Sequence, residues 1–111
     1  GGNSINVINR YANRITHVHT KDIRSSIVND LNKDKESFLD AVLKGAFTVP
    51  GDGSIDFKEV IDTLAKNNYE GWFIVEAEQD PAKANPLEMA KIGNKELRKC
   101  LTLSGYEIVE Y

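Results

Sequence analysis

The sequence predicts an α/β fold in which parallel strands are joined by helical crossovers. Three observations lead there. Stretches with helical apolar spacing alternate with short β-prone runs, in the order helix–strand–helix–strand–helix–strand–helix, and that alternation implies parallel strands. The stretch Ile15-Thr16-His17-Val18-His19-Thr20-Lys21-Asp22 repeats with period two, so His17, His19 and Lys21 share one strand face and Thr16, Val18 and Thr20 the other. Polar residues and turn signals gather after the C-terminal ends of the strands, where such folds carry their sites.

In chain order, residues 3–14 place Ile5, Ile8 and Ala12 on one helical face, with Asn3 or Ser4 as N-cap. The strand at 15–21 follows almost without a loop, and residues 22–32 read as polar and irregular. A second helix is expected over 33–44, with Phe38, Leu39, Val42 and Leu43 on its apolar side and Gly45 as its stop. Residues 46–49 read as a brief strand halted by Pro50-Gly51-Asp52-Gly53. In the third helix Asp56 and Glu59 fit a capping box, Ile55 can staple onto Val60, and Phe57, Val60, Ile61 and Leu64 form the buried stripe. Asn67-Asn68-Tyr69-Glu70-Gly71 turns the chain into a strand at 72–78, with Trp72 and Phe73 expected in the core. Asn85 then caps a last helix that Pro86 opens and that runs to about Lys99, with Glu88 fitting a second capping box. Residues 106–111 are β-prone.

With 111 residues, 41% of them apolar, 28% charged and a net charge of −3, the composition suits one domain, 1–111, with one core. The mild acidity and the absence of a basic cluster give no reason to expect nucleic acid. No run of eighteen apolar residues and no signal-peptide pattern points to a membrane or to export. Cys100 has no second cysteine to pair with, which fits a reducing, cytoplasmic setting, and beside the helical Lys99 it reads as a structural thiol. Three parallel strands would leave two open edges, whereas all-parallel sheets are normally larger and covered on both faces. The chain therefore reads as part of a fold.

A strand face carrying two imidazoles and an amine must meet water, a metal, a substrate or a partner, because unpaired buried polar groups are costly. Phe73-Ile74-Val75-Glu76-Ala77-Glu78 adds two carboxylates on one face of a second strand, and imidazole plus carboxylate is the raw material of a metal site. Asp52-Gly53-Ser54-Ile55-Asp56-Phe57-Lys58-Glu59 imitates the second half of a calcium loop, but the two positions that should open that loop with carboxylates are Thr48 and Pro50. Helix capping explains Asp56 and Glu59 without calcium.

Three stretches carry a family resemblance: Arg14-Ile15-Thr16-His17-Val18-His19-Thr20-Lys21-Asp22-Ile23-Arg24, Phe47-Thr48-Val49-Pro50-Gly51-Asp52-Gly53-Ser54-Ile55-Asp56-Phe57, and Gly71-Trp72-Phe73-Ile74-Val75-Glu76-Ala77-Glu78-Gln79-Asp80-Pro81-Ala82-Lys83-Ala84-Asn85-Pro86. Over about residues 1–100 the chain resembles the C-terminal part of the myo-inosose (2-keto-myo-inositol) dehydratase family, inositol-catabolism enzymes of the xylose-isomerase-like barrel superfamily. The His-x-Lys-Asp strand and the Pro-Gly-Asp-Gly loop are shared across the superfamily, whereas the Glu-Ala-Glu-Gln-Asp-Pro run is particular to the dehydratases. The resemblance implies a (β/α)8 TIM barrel of about 250 residues, of which this chain would be the C-terminal portion, about strands six to eight with their helices. It implies a divalent metal at the barrel mouth, manganese or cobalt, held by Glu, Asp, His and Glu from four strands. The histidine falls on His19 and the last carboxylate on Glu76; the other two ligands would lie upstream. Glutathione is implied as an added requirement, with no residue here to assign to it.

The implied reaction is elimination of water from a cyclic polyol ketone, scyllo-inosose, to a trihydroxycyclohexane-dione, with Lys21 and Glu78 as candidate catalytic residues. For Lys21 the rival is an ion pair with Asp22 or Glu78, and for Glu78 a supporting contact. His17 reads as packing or as support for a ligand, and Arg24 and Gln79 as solvated loop residues. The alternatives in function are a sugar isomerase or epimerase of the same superfamily, or a non-catalytic barrel fragment. With two of four ligands, the chain alone is expected to be inactive and to associate with itself or with the missing N-terminal barrel portion.

Overall fold

The computed structural model describes residues 2–32 and 34–110. Gly1, Lys33 and Tyr111 lie outside the described residues, and with them the expected first residue of the second helix and the last of the β-prone end. The elements run α1 (Ser4–Tyr11), a 3-10 turn (Ala12–Arg14), β1 (Val18–Thr20), β2 (Asp22–Ile23), α2 (Ser25–Asp30), α3 (Phe38–Leu43), β3 (Phe47–Thr48), α4 (Phe57–Lys66), β4 (Phe73–Val75) and α5 (Pro86–Leu103).

β1 and β4 are parallel neighbours, with Val18 opposite Phe73, His19 opposite Ile74 and Thr20 opposite Val75. The pairing continues beyond β4, where the Glu76 N–H donates to the Thr20 carbonyl at 3.0 Å. Opposed residues of a parallel pair share a side. Val18, Thr20, Phe73 and Val75 therefore face the helices, and His19, Lys21, Ile74 and Glu76 face away from them. On the helix side, Phe57 and Ile61 of α4 pack with Leu97, Cys100 and Leu101 of α5, against Phe73 and Val75. Ile8, Leu64 and Tyr69 make a second cluster, which Val18 and Phe73 also touch. Among the described residues β1 and β4 have no other strand neighbour, so each keeps one open edge.

The N-cap residues follow the sequence, but the capping boxes expected at Asp56–Glu59 and Asn85–Glu88 form only the half in which the cap side chain accepts. The side chains of Asn3, Asp56 and Asn85 accept from the first-turn N–H groups of α1, α4 and α5, and Pro86 occupies the first turn of α5. The fully reciprocal capping box is at Ser37 and Asp40 of α3.

Four expectations need correction. Residues 46–49 do not extend the parallel alternation: Phe47–Thr48 pairs antiparallel with Asp22–Ile23. Pro50, with no N–H for a ladder, keeps that run short, and its partner is the continuation of β1's own chain. The segment between β1 and α4 is thus an excursion closed by an antiparallel stem. Residues 22–32 are not irregular, since they hold β2 and α2. In α3 the supposed apolar side turns outward: Phe38, Leu39 and Leu43 are exposed and Ala41 is the buried residue. A six-residue helix on an excursion buries one small residue, Ala41, rather than a stripe, and Phe38 rests against the Phe47 ring of the same excursion, 5.0 Å between centres. Trp72, expected in the core, is 60% exposed at the entry to β4.

α5 runs past Lys99 to Leu103, which brings Cys100 and Leu101 into the core. The end of the chain is an irregular segment packed on that core: Tyr106 and Ile108 lie against it, and the Tyr106 hydroxyl donates to the Tyr69 carbonyl at 2.8 Å. Burial pushes the Cys100 thiol up to about 11, which marks it as structural.

α5 meets the sheet at Gly93, where a Cβ would lie 2.6 Å from Val75 Cγ1 and 2.9 Å from Val49 Cβ. Alanine is the better helix former by about 1 kcal/mol, yet both neighbours are stiff β-branched side chains that cannot give way. Gly93→Ala is therefore expected to lower unfolding stability by about 1–3 kcal/mol. Urea titration checks this; an increase in stability would show that α5 does not approach the sheet so closely.

Candidate metal site at the strand ends

The side of the sheet away from the helices carries a connected cluster. His19 Nδ1 lies 3.0 Å from Glu76 Oε2. The other oxygen of Glu76 accepts from Lys21 Nζ at 3.1 Å, and Lys21 also donates to Glu78. Strand parity explains the grouping: Lys21 and Glu76 are each one step past the last paired position, Thr20 opposite Val75, and so emerge on the same side. Glu78 has left the strand, and its backbone is left-handed at φ +58°, a conformation a residue with a Cβ adopts only when its surroundings impose it. His17 extends the row, its ring centre 5.7 Å from that of His19. Lys21 Nζ also sits 5.3 Å from the centre of the Phe47 ring, so the excursion closes over the amine.

The electrostatics follow from these contacts. The hydrogen bond from His19, then that from Lys21, holds the Glu76 carboxyl below its ordinary value of 4.5. Partial burial works against the Lys21 charge, but hydrogen bonds to Glu78 and Glu76 outweigh it and keep the ammonium above its ordinary 10.5. A depressed carboxyl means that its stabilising contribution is in place above the unfolded range and is lost as pH falls through the lower folded value. The raised lysine acts at the other end: its contribution is complete below its unfolded value and is lost as pH rises through the folded one. In the metal-free chain, 13C NMR of the Glu76 carboxyl is expected to show a midpoint below 4.5 that moves up in His19→Ala. A wild-type midpoint at or above 4.5 would contradict the contacts.

The donor set suits a divalent cation in part. Two ligand atoms bound at right angles at about 2.1 Å stand about 3.0 Å apart, which is the His19–Glu76 separation. Among the described residues no group of three or more His, Cys, Asp or Glu is arranged to hold one metal ion, so the pair provides two ligands and not a closed site. In the metal-free chain that separation is a hydrogen bond, so His19 Nδ1 has to give up its proton before its lone pair can meet a cation beside the carboxylate.

Asp22 was read from the sequence only as a possible ion-pair partner of Lys21. It is fully buried and turned to the other side, where its carboxylate accepts from five backbone N–H groups, those of Ile23, Gly51, Gly53, Ser54 and Ile55. It thus ties the Pro-Gly-Asp-Gly loop to the end of β1. Gly53 is required there, since a Cβ would fall 2.3 Å from Asp22 Oδ1. The sequence held a signal: in the alternation Thr16, Val18, Thr20, Asp22, a carboxylate occupies the face that packs inward.

Arg24 and Gln79 were expected on solvated loops, and both are built into the structure. Arg24 donates to the Gly45 carbonyl at 2.7 Å, to Thr48 Oγ1 at 3.2 Å and to Asp52. The buried Thr48 hydroxyl donates to Asp52 at 2.6 Å and accepts from Gln79 Nε2 at 3.2 Å. Asp52 and Asp56, two of the three carboxylates of the calcium-like stretch, are thus engaged with Arg24 and Thr48 and with the start of α4.

The family model of the xylose isomerase-like TIM barrel matches residues 2–100. An inosose dehydratase of Clostridium tetani (strain Massachusetts / E88) is 63% identical over 90 residues, 81% of this chain and 30% of that protein. One from Clostridium beijerinckii is 54% identical over 99 residues, 89% of this chain and 33% of that protein. The rhizopine catabolism protein MocC of Rhizobium meliloti is 45% identical over 108 residues, 97% of this chain and 33% of that protein. The chain spans about a third of the length of the relatives it matches.

Proposed function

The chain belongs to the xylose isomerase-like TIM barrel family, and from that membership we propose that it carries part of the active site of an inosose dehydratase in inositol catabolism. The observation that carries this reading is the placement of His19 Nδ1 3.0 Å from Glu76 Oε2, on the sheet side that the helices leave open. His19 and Glu76 would hold the cation, manganese or cobalt by resemblance to the family. Bound there, it would supply Lewis acidity toward the carbonyl and neighbouring hydroxyl oxygens of a cyclic polyol ketone such as scyllo-inosose. Lys21 does two things. Its hydrogen bond fixes the Glu76 carboxylate, and its ammonium, kept charged by Glu76 and Glu78, can donate to the departing hydroxyl oxygen. Glu78 is the carboxylate placed to receive a proton once Lys21 turns to substrate. Glutathione, also part of the resemblance, has no assigned contact among the described residues.

No helix among the described residues is long and apolar enough to cross a membrane. A cytoplasmic location fits the free, buried Cys100. The open edges of β1 and β4 are the surfaces on which further barrel strands or a second copy would pair.

The test is a chimaera in which this chain replaces the matching stretch of the Clostridium tetani inosose dehydratase. With manganese and scyllo-inosose it is expected to give a product lighter by one water, and no such product after Glu76→Gln. A product of unchanged mass would favour an isomerase or epimerase instead. The 111-residue chain alone, with two of the expected donors, should show no turnover. Turnover by a monodisperse monomer of it would mean that its site is self-contained.

A further inference from the structure

One buried polar atom beside the site has no use in the fold. Gln79 Oε1 is closed off from solvent and pairs with nothing among the described residues. The orientation of its carboxamide is fixed by its neighbour. Thr48 Oγ1 has one proton and two lone pairs: the proton goes to Asp52 Oδ2 at 2.6 Å, one lone pair takes Arg24 Nη2 at 3.2 Å, and the other takes the Gln79 group at 3.2 Å. The Gln79 atom facing Thr48 must therefore be the donor nitrogen, and a flipped amide would set oxygen against oxygen. The carbonyl oxygen is left over. It is also a good acceptor, because a carboxamide that donates through its nitrogen into a charged Thr48–Asp52–Arg24 network is polarised toward its oxygen. The residue directly before it is Glu78, with the left-handed backbone, which also binds Lys21.

We propose that Gln79 is a specificity residue of this site, its carboxamide oxygen accepting a hydrogen bond from one hydroxyl of a polyhydroxylated ring. The proposal rests on the polyol reading above and deepens it, since the cation and Lys21 engage the carbonyl, its neighbouring hydroxyl and the departing one and leave the remaining ring hydroxyls unread. An acceptor with no competing partner among the described residues makes that distinction, because it stays unpaired when the hydroxyl is missing. Access requires only that the Gln79 oxygen be uncovered, and the strained Glu78 backbone beside it is the place for that movement.

Gln79→Met keeps the length of the side chain and removes both polar atoms. The probe is scyllo-inosose, titrated by NMR into the 15N-labelled chain with manganese replaced by diamagnetic magnesium. Thermal unfolding is measured in parallel. Affinity is expected to fall about tenfold in Gln79→Met, which corresponds to about 1.4 kcal/mol, while the melting temperature changes little, because removal of the unpaired buried oxygen offsets the lost hydrogen bond to Thr48. One mono-deoxy analogue should bind wild type and variant alike. Equal affinity of wild type and variant for scyllo-inosose would overturn the assignment and leave the cation reading standing. A melting temperature lowered by several degrees together with the affinity would overturn it too, by making Gln79 a structural residue. Absence of any scyllo-inosose binding to the wild-type chain that still takes up magnesium at His19 and Glu76 would overturn the hydroxyl assignment alone. Absence of both would overturn it together with the proposed function.

Discussion

Asp22→Ala is expected to unfold the chain or leave it barely folded. Asp22 is buried without exposure, and its carboxylate satisfies five backbone N–H groups, four of them in residues 51–55. An alanine leaves the N–H groups of Ile23, Gly51, Gly53 and Ile55 without this acceptor in a place water reaches poorly, while the Ser54 N–H keeps the Ile23 carbonyl at 2.8 Å. Hydrogen bonds to charged groups contribute about 1.5–3 kcal/mol each, and even with relaxation and water entry the loss should reach about 3–5 kcal/mol. A domain of this size has about 5–15 kcal/mol to lose. Asp22→Asn is the sharper variant, because it keeps the shape. Its oxygen can still serve the N–H groups of Ile23, Ser54 and Ile55, but its NH2 then faces those of Gly51 and Gly53. A loss of about 2 kcal/mol is expected. Chemical denaturation of both variants gives the answer, and an asparagine variant within 0.5 kcal/mol of wild type would show that the loop does not depend on this anchor.

Glu76→Gln should have the largest functional effect. In the chimaera with the Clostridium tetani enzyme, manganese affinity is expected to fall by at least about a hundredfold, beyond the 10–100-fold typical of a residue that only supports a ligand. The amide removes one anionic donor and also frees Lys21 and His19, both of which Glu76 holds. Lys21→Met separates binding from chemistry. It should cut turnover strongly while changing manganese affinity only a few-fold, since it touches the outer oxygen of Glu76. Calorimetric titration reads the first effect and product formation the second. A Glu76→Gln protein that binds manganese like wild type would remove Glu76 from the cation.

Much of this site was legible in the sequence because it depends on parity. The alternation of His17, His19 and Lys21 put those side chains on one face, and the parallel pairing of β1 with β4 brought Glu76 alongside them, whereas Glu78 lies past the strand and joins through a left-handed backbone that parity does not foresee. What stayed illegible depends on loop closure. Nothing local in Asp22 announces that it serves amides some thirty residues away, and Phe47–Thr48 has the composition of a strand but not a direction. Gln79 and Arg24 read as loop residues because their partners, Thr48 and Asp52, come from a different part of the chain. Helix α3 misled for the opposite reason. Its apolar residues have helical spacing, but the excursion places Phe38, Leu39 and Leu43 toward solvent.

The central claim is that His19 and Glu76 share one cation. Pulsed EPR of the manganese-loaded chimaera tests it directly, because an imidazole nitrogen bound to Mn(II) gives a 14N coupling that carboxylates and water do not. The expected spectrum shows that coupling in wild type and in His17→Ala, and loses it in His19→Ala. A coupling that survives His19→Ala, or that disappears in His17→Ala instead, would contradict the claim.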